Sequence, residues 1–212
     1  AALRVGDATE TIKKLRVYIP IADDMMDDAQ FMINYVNQRL SNMLMLRKDT
    51  ELINGDGIGD NVQGLLNRSG IVTRSVSQLG ANPLEAIHRG LTLIKTTTFD
   101  DPDAILINPI DLQEIKLMKT DDGVYILTSP TNPNEVSLWG LKTVSTTGIP
   151  ENTAMLGAFQ DQSAQLLRKD MFMTTSKEYN NGFMSGRLSI KLEMRLGLVL
   201  WRPSSFLKLT GV

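Results

Sequence analysis

Apolar and polar positions along this 212-residue chain fall into two strong patterns, a helical one near the start and a two-residue alternation near the end. The first runs from Pro20 to Asn61, where Met25, Ala29, Met32, Val36 and Met43 form one row and Met26, Ile33, Leu40 and Leu44 a parallel one. Spacing of three and four predicts a single amphipathic helix from about Asp24 to Ile53, ~30 residues and ~45 Å long at ~1.5 Å per residue. Pro20 precedes it, Asp23 and Asp24 are placed to cap its first N–H groups, and Asp27 and Asp28 set negative charge at the positive end of its dipole. In the second pattern every even position from Met184 to Leu200 except Gly186 is apolar, while Ser185, Arg187, Ser189, Lys191, Glu193 and Arg195 take the odd ones. That predicts a one-faced strand over ~50 Å long at ~3.3 Å per residue, long enough to bend or pass between sheets. Its apolar face needs a cover, and the helix has the matching length. One domain is therefore expected from both ends of the chain, with the middle inserted into it.

Between these patterns the signals are shorter. Lys14 to Ile21 alternates, with Leu15, Val17, Ile19 and Ile21 on one side and Lys14, Arg16 and Tyr18 on the other, which predicts a strand. Only AALRV precedes it, so its partner strand is expected upstream of this sequence or on another molecule. The run NGDGIGDNVQGLLNRSGI reads as a loop or domain junction. A helix opens at Asn82 and Pro83, with Glu85 placed for a capping box and a stripe of Leu84, Ile87, Leu91 and Ile94. Another follows the strand Ala104 to Ile107, starting at Asn108 and Pro109 and running to about Lys119. Strands are expected at Val124 to Leu127, Lys142 to Thr146, Ala154 to Phe159, Gln165 to Arg168 and Met171 to Thr175. The middle is thus a mixed sheet with helices on it.

Composition narrows the chemistry. There are no cysteines, which excludes disulfides and thiol chemistry, and one histidine, His88. Twenty-two Lys and Arg against 24 Asp and Glu give a net charge of -2, so no overall basic field would hold a polyanion. No apolar run approaches the ~20 residues of a membrane span, and AALRVGDATE lacks the charged and apolar regions of a secretion signal, so no membrane contact is expected.

Candidate sites have simpler explanations. Gly55, Gly57 and Gly59 follow a helix, whereas a dinucleotide-binding loop follows a strand; they read as a helix stop and turn. Asn54, Asp56 and Asp60 resemble a calcium loop, yet Ile58 occupies a ligand position and the closing Glu is missing. His88 has no serine or carboxylate motif around it. No catalytic, metal or cofactor residues are assigned. Eleven methionines, among them Met25, Met26, Met32, Met43 and Met45, read as core filler, or as a soft interface that can slide.

Several short motifs in order resemble those of the major capsid proteins of tailed bacteriophages, with the Hong Kong 97-like fold. They are Asp27-Asp28-Ala29, Leu52-Ile53-Asn54-Gly55-Asp56-Gly57 with Gly59 and Gly64-Leu65-Leu66, Ile107-Asn108-Pro109 with Asp111, Leu138-Trp139-Gly140-Leu141 with Val144, Glu193 with Arg195, and Arg202-Pro203. The resemblance implies an α+β Hong Kong 97-like capsid fold: a long spine helix, a peripheral domain of long strands, and an inserted axial domain of mixed sheet and helices. It assigns residues 1–19 to the second strand of an extended loop, 20–60 and 174–200 to the peripheral domain, and 61–173 and 201–212 to the axial domain. Relatives carry an N-terminal arm, the loop's first strand and often a scaffolding segment upstream, so a fragment or processed chain is expected.

By the same resemblance the protein is a non-enzymatic phage or prophage capsid protein that assembles in the bacterial cytoplasm and resides in the virion. Its partners would be copies of itself in hexamers and pentamers, packaged double-stranded DNA without tight binding, and a scaffold, protease and portal. No cofactor is implied. Some relatives weld subunits through a lysine in the extended loop and an asparagine in the peripheral domain, assisted by a glutamate. Ungapped alignment sets Asp7 and Gly186 at the bonding positions and Glu193 at the third, so no isopeptide crosslink is expected. Lys13, Lys14 and Arg16 are the candidates to meet an acidic neighbour surface at Asp100, Asp101 and Asp103, against solvated charge as the plain alternative. Rival readings are an encapsulin-type nanocompartment of the same fold, which encloses a cargo enzyme, and a hydrolase, supported only by size and a mixed sheet.

Overall fold

The computed structural model describes residues 9–22, 30–80, 82–120, 122–127, 137–179 and 182–212. Contacts divide the chain into two compact units, one of Ala1–Gln63 with Gln165–Val199, the other of Gly64–Ala164 with Leu200–Val212.

The first unit is a three-stranded sheet with a long helix. Strands β1 (Lys13–Ala22), β7 (Ser163–Ser176) and β8 (Arg187–Leu200) are ordered β1-β8-β7. β1 pairs antiparallel with β8 along its whole length, from Lys13 opposite Leu196 to Ala22 opposite Arg187. The expectation that β1 lacks a partner within this chain is therefore corrected: its partner is the closing strand. Opposed residues of an antiparallel pair share a face, so Leu15, Val17, Ile19 and Ile21 line up with Met194, Leu192, Ile190 and Leu188 in one apolar surface.

Helix α1 (Gln30–Asn54) packs against β1 and buries Val36, Leu40 and Leu44, a row four residues apart. Met43, expected on the buried face, is 42% exposed, because the covered stripe narrows to that single row. The expected caps Asp23, Asp24, Asp27 and Asp28, and the first apolar positions Met25, Met26 and Ala29, lie outside the described residues.

Two strand expectations change in this unit. β8 begins at Arg187, not Met184: residues Gly182–Ser185 form a single helical turn, α6, and Gly186 then takes a left-handed φ of 60° that no strand can continue. It stays in one sheet, and its central place buries part of its polar side too, including Ser189 and Glu193. The two short strands expected at 165–168 and 171–175 are one continuous strand, β7, since nothing in Lys169-Asp170 interrupts extended backbone.

The second unit carries a six-stranded sheet ordered β2-β9-β6-β3-β5-β4. Its strands are β2 (Val72–Ser75), β3 (Ala104–Ile107), β4 (Ser137–Leu138), β5 (Leu141–Ser145), β6 (Thr153–Gly157) and β9 (Phe206–Thr210). β2 runs parallel to β9, and β3 parallel to β5; the other neighbours are antiparallel. Helix α3 (Pro83–Thr98) packs on β6 and β9 through Ala86, Ile87, Leu91 and Ile94. Pro83 stands at its first turn as expected, but the Asn82 side chain does not cap it, and Glu85 forms an ion pair with Arg89. A capping box occurs instead at Ser75 and Gln78, opening the one-turn helix α2 (Val76–Leu79).

Helix α4 (Pro109–Leu117) does start at a working cap, since Asn108 Oδ1 accepts from Ile110 N at 3.0 Å. The strand expected at Val124 to Leu127 is not formed. Thr120 and Val124 close a tight turn through Thr120 N and Gly123 N, leaving one bridge between Lys119 and Tyr125.

Candidate assembly surface

The motif residues are mostly joints within the fold. Asn108 also donates from Nδ2 to the Ile149 carbonyl at 2.7 Å, and the buried Asp111 carboxylate accepts from Asn152 N at 3.1 Å and Thr153 N at 3.3 Å. Together they fasten the start of α4 to the loop that enters β6. Trp139 and Gly140, at φ 55° and 80°, make the two-residue turn between β4 and β5 that needs left-handed backbone at both positions. The strained Trp139 is held by Nε1 donating to the Leu84 carbonyl at 3.0 Å and by edge contact with His88, ring centroids 4.6 Å apart. Gly55 leaves no room for a side chain, as a Cβ there would lie 2.1 Å from the Val62 carbonyl oxygen. Asp56 closes its own loop, accepting from Ile58 N at 3.0 Å and Asn61 Nδ2 at 2.9 Å. The hydrogen bond from Ile58 first, then that from Asn61, holds its carboxyl below the usual range. The carboxylate that suggested calcium is thus occupied by turn donors.

On the polar side of the three-stranded sheet, register sets Lys14 opposite Arg195, Arg16 opposite Glu193 and Tyr18 opposite Lys191. Glu193 is 8% exposed, and Lys191 Nζ lies 3.1 Å from its Oε2. Burial pushes its carboxyl up, but the hydrogen bond from Lys191 and the charges of Lys191, Lys14 and Lys169 together hold it below its ordinary value of 4.5. Glu193 is a buried anion paired with Lys191 and within the field of Lys14 and Lys169.

The charged candidates have partners within their own units. Arg16 pairs with Asp60 at 2.9 Å, and Lys13 Nζ donates to the Gly59 carbonyl, so both tie β1 to the loop after α1. Asp100 accepts from Ser205 Oγ, from Gln162 Nε2 and from Arg202, at 3.3 Å for the last two. The Ser205 bond, with Arg202 behind it, keeps its carboxyl below 3.8 despite burial. Asp101 pairs with Lys95 at 2.9 Å and is 87% exposed along its side chain. Asp103 accepts from Phe159 N and Gln160 N at 2.8 and 2.7 Å, capping the one-turn helix α5 (Phe159–Gln162). Partners 44 to 105 residues distant cannot be read from local pattern. Of the crosslink positions, Asp7 lies outside the described residues, and Gly186 has open space around it but a left-handed φ of 60° that would strain a side chain there.

Two features were not read from the sequence pattern. One is an open groove of about 620 Å³, mostly apolar, lined among others by Arg16, Tyr18, Thr174, Ser176, Tyr179 and Lys191. Tyr18 and Tyr179 meet edge to face in it, centroids 5.5 Å apart. The other is α6, whose Phe183 and Met184 are 83% and 88% exposed.

Comparison with known proteins gives these features a context: residues 2–211 match the Phage capsid family. This chain belongs to that family. It is 30% identical over 200 residues to the major capsid protein of Enterobacteria phage HK97, covering 94% of this chain and 52% of that one. The chain thus spans about half the length of that curated relative. Its fold matches the capsid of the native GTA particle with a TM-score of 0.77 at 14% identity, covering 96% of this chain and 73% of that one. It also matches the holo-SrpI encapsulin complex from Synechococcus elongatus, with a TM-score of 0.66 at 13% identity, covering 95% and 74%. The fold is therefore shared by phage capsids and encapsulins, and the family assignment separates them. A capsid family is structural, which sets the hydrolase alternative aside.

Proposed function

We propose that this chain is the shell-forming part of a phage or prophage major capsid protein, assembling as hexamers and pentamers into an icosahedral shell around double-stranded DNA. The family match along residues 2–211 carries the reading. Residues 20–60 and 174–200 then serve as the peripheral domain, 61–173 and 201–212 as the axial domain, and 1–19 as the strand of an extended loop. Its work is association. Heterologous head-to-tail contacts close rings, and repeated engagement around a closed shell makes the whole far harder to dissociate than any pair. A net charge of -2 suits a wall that lines packaged DNA without gripping it. Scaffold, protease and portal are its expected helpers, and the virion its final location.

Across subunit boundaries, Lys13, Lys14 and Arg16 face the acidic set Asp100, Asp101 and Asp103 of a neighbour; Lys14, Arg16 and Asp101 are the exposed members, and Arg16 and Asp101 exchange Asp60 and Lys95 for the new partners. Charge reversal at the three basic positions that left particle yield unchanged would remove the idea. The whole reading is tested by expressing the full-length product and imaging it by negative-stain microscopy. Closed isometric particles, filled with nuclease-protected DNA when made in a lysogen, are expected. Protein that never exceeds a monomer or dimer overturns the reading, and shells filled with an enzyme in place of DNA favour the encapsulin alternative.

A further inference from the structure

We infer that Phe183 and Met184 of one copy insert into the groove lined by Tyr18 and Tyr179 of a second copy, a non-covalent knob-and-hole contact between shell subunits. This rests on the shell-forming reading above and adds the residues that make one of its contacts. The knob is exposed in the isolated chain, at 83% and 88% for the two side chains, so its own groove does not take it up. Adjacent large apolar side chains held in water are a standing cost that only a partner removes.

Their presentation is fixed by the backbone. Gly182, buried at the start of α6, is so closely enclosed that a Cβ would lie 2.6 Å from the carbonyl oxygens of both Lys177 and Arg187. Gly182 is thereby held close to the ends of both flanking segments, and Phe183 and Met184 project from α6 into solvent.

The hole is built to match. Its volume of about 620 Å³ lies in the range that accepts a drug-sized apolar group, and its two tyrosine rings offer faces and edges to a phenyl ring and a thioether. Arg16, Glu178 and Lys191 stand at its walls, where the stems of Arg16 and Lys191 extend apolar surface while their heads pair with Asp60 and Glu193. Knob and hole lie on the same unit, so each copy carries both halves, which is the requirement for a head-to-tail contact that propagates from subunit to subunit. The occupant is accordingly a second copy of this chain.

No cysteine occurs in these 212 residues, so the only thiols within them are the introduced ones. Full-length protein carrying Phe183→Cys is co-assembled with protein carrying Thr174→Cys, and purified shells are oxidised and run on a non-reducing gel. Disulfide-linked dimers should form at roughly tenfold or greater excess over a control pairing Phe183→Cys with Leu46→Cys, a site on the exposed side of α1. Shells that form normally yet give no such excess overturn the contact while leaving the capsid reading intact. As a second measure, Phe183→Asp with Met184→Asp should lower shell yield about tenfold or more without moving the melting temperature of the unassembled chain. An unchanged yield overturns the contact. If the unaltered protein makes no shells, the capsid reading itself fails and this contact falls with it.

Discussion

Leu15 lies directly opposite Met194 across the antiparallel ladder of β1 and β8, and the two are only 1% and 2% exposed. A residue near the start of the chain and one near its end thus share one apolar surface. Leu15→Ala should destabilise the first unit by about 2–5 kcal/mol, the cost of a buried leucine plus the cavity it leaves. Leu46→Ala, on an exposed side chain, should change stability by under about 0.5 kcal/mol. Urea denaturation followed by circular dichroism compares the two, and equal effects would show that the β1–β8 face is not a core.

Acid should weaken both units through named carboxylates. Glu193 and Asp100 are held below their ordinary values of 4.5 and 3.8 in the folded chain. Between the folded and unfolded values the unfolded chain binds more protons, so each group's contribution is complete above the unfolded value and drains away as pH falls through the folded one. Glu193→Gln should cost about 1–3 kcal/mol at neutral pH, with the gap to the unaltered protein narrowing as the pH drops below about 4.5. Denaturation curves across that interval measure it; a gap that stays constant would mean the charge of Glu193 is not what stabilises.

Gly157 marks a tight place in the second unit. A Cβ there would lie 2.4 Å from Phe206 Cδ1, and Phe206 is fully buried. Gly157→Ala should cost about 1–3 kcal/mol by overpacking. Adding Phe206→Leu should recover part of the loss, whereas strictly additive losses in a double-mutant cycle would place the strain elsewhere.

Assembled particles should carry no covalent weld, as expected from the ungapped alignment that sets Asp7 and Gly186, in place of a lysine and an asparagine, at the bonding positions of some relatives. Boiling in detergent should return a monomer band. A ladder of multimers would contradict this.

What the sequence made legible was local. Pro83 and Pro109 announce the starts of α3 and α4, and the even-numbered alternation of β8 shows its apolar face from Leu188 onward. The motif residues also carried real information, since Asn108, Asp111, Trp139 and Glu193 each sit at a joint that few other side chains could make. What stayed hidden depends on distant pairing. Nothing near Lys13 points to Leu196 as its partner, nothing near Arg16 points to Asp60, and Asp103 looks like solvated charge until Phe159 and Gln160 arrive to be capped. Met43 failed as a core position because periodicity gives the direction of a helix face but not its width. Met184 carried a misleading signature, since it extends the alternation of β8 into what is a helical turn, and the tyrosine groove joins Tyr18 of β1 to Tyr179 beyond β7, which no local period connects.

The middle place of β8 sets a timetable for synthesis. A ribosome delivers Lys13–Ala22 well before its partner Arg187–Leu200, and the other unit likewise waits for Phe206–Thr210 to slot between β2 and β6. Neither unit can finish folding until those late strands have been made. A product that stops short of them leaves β1 without the strand it pairs with and leaves β2 and β6 without the strand that joins them.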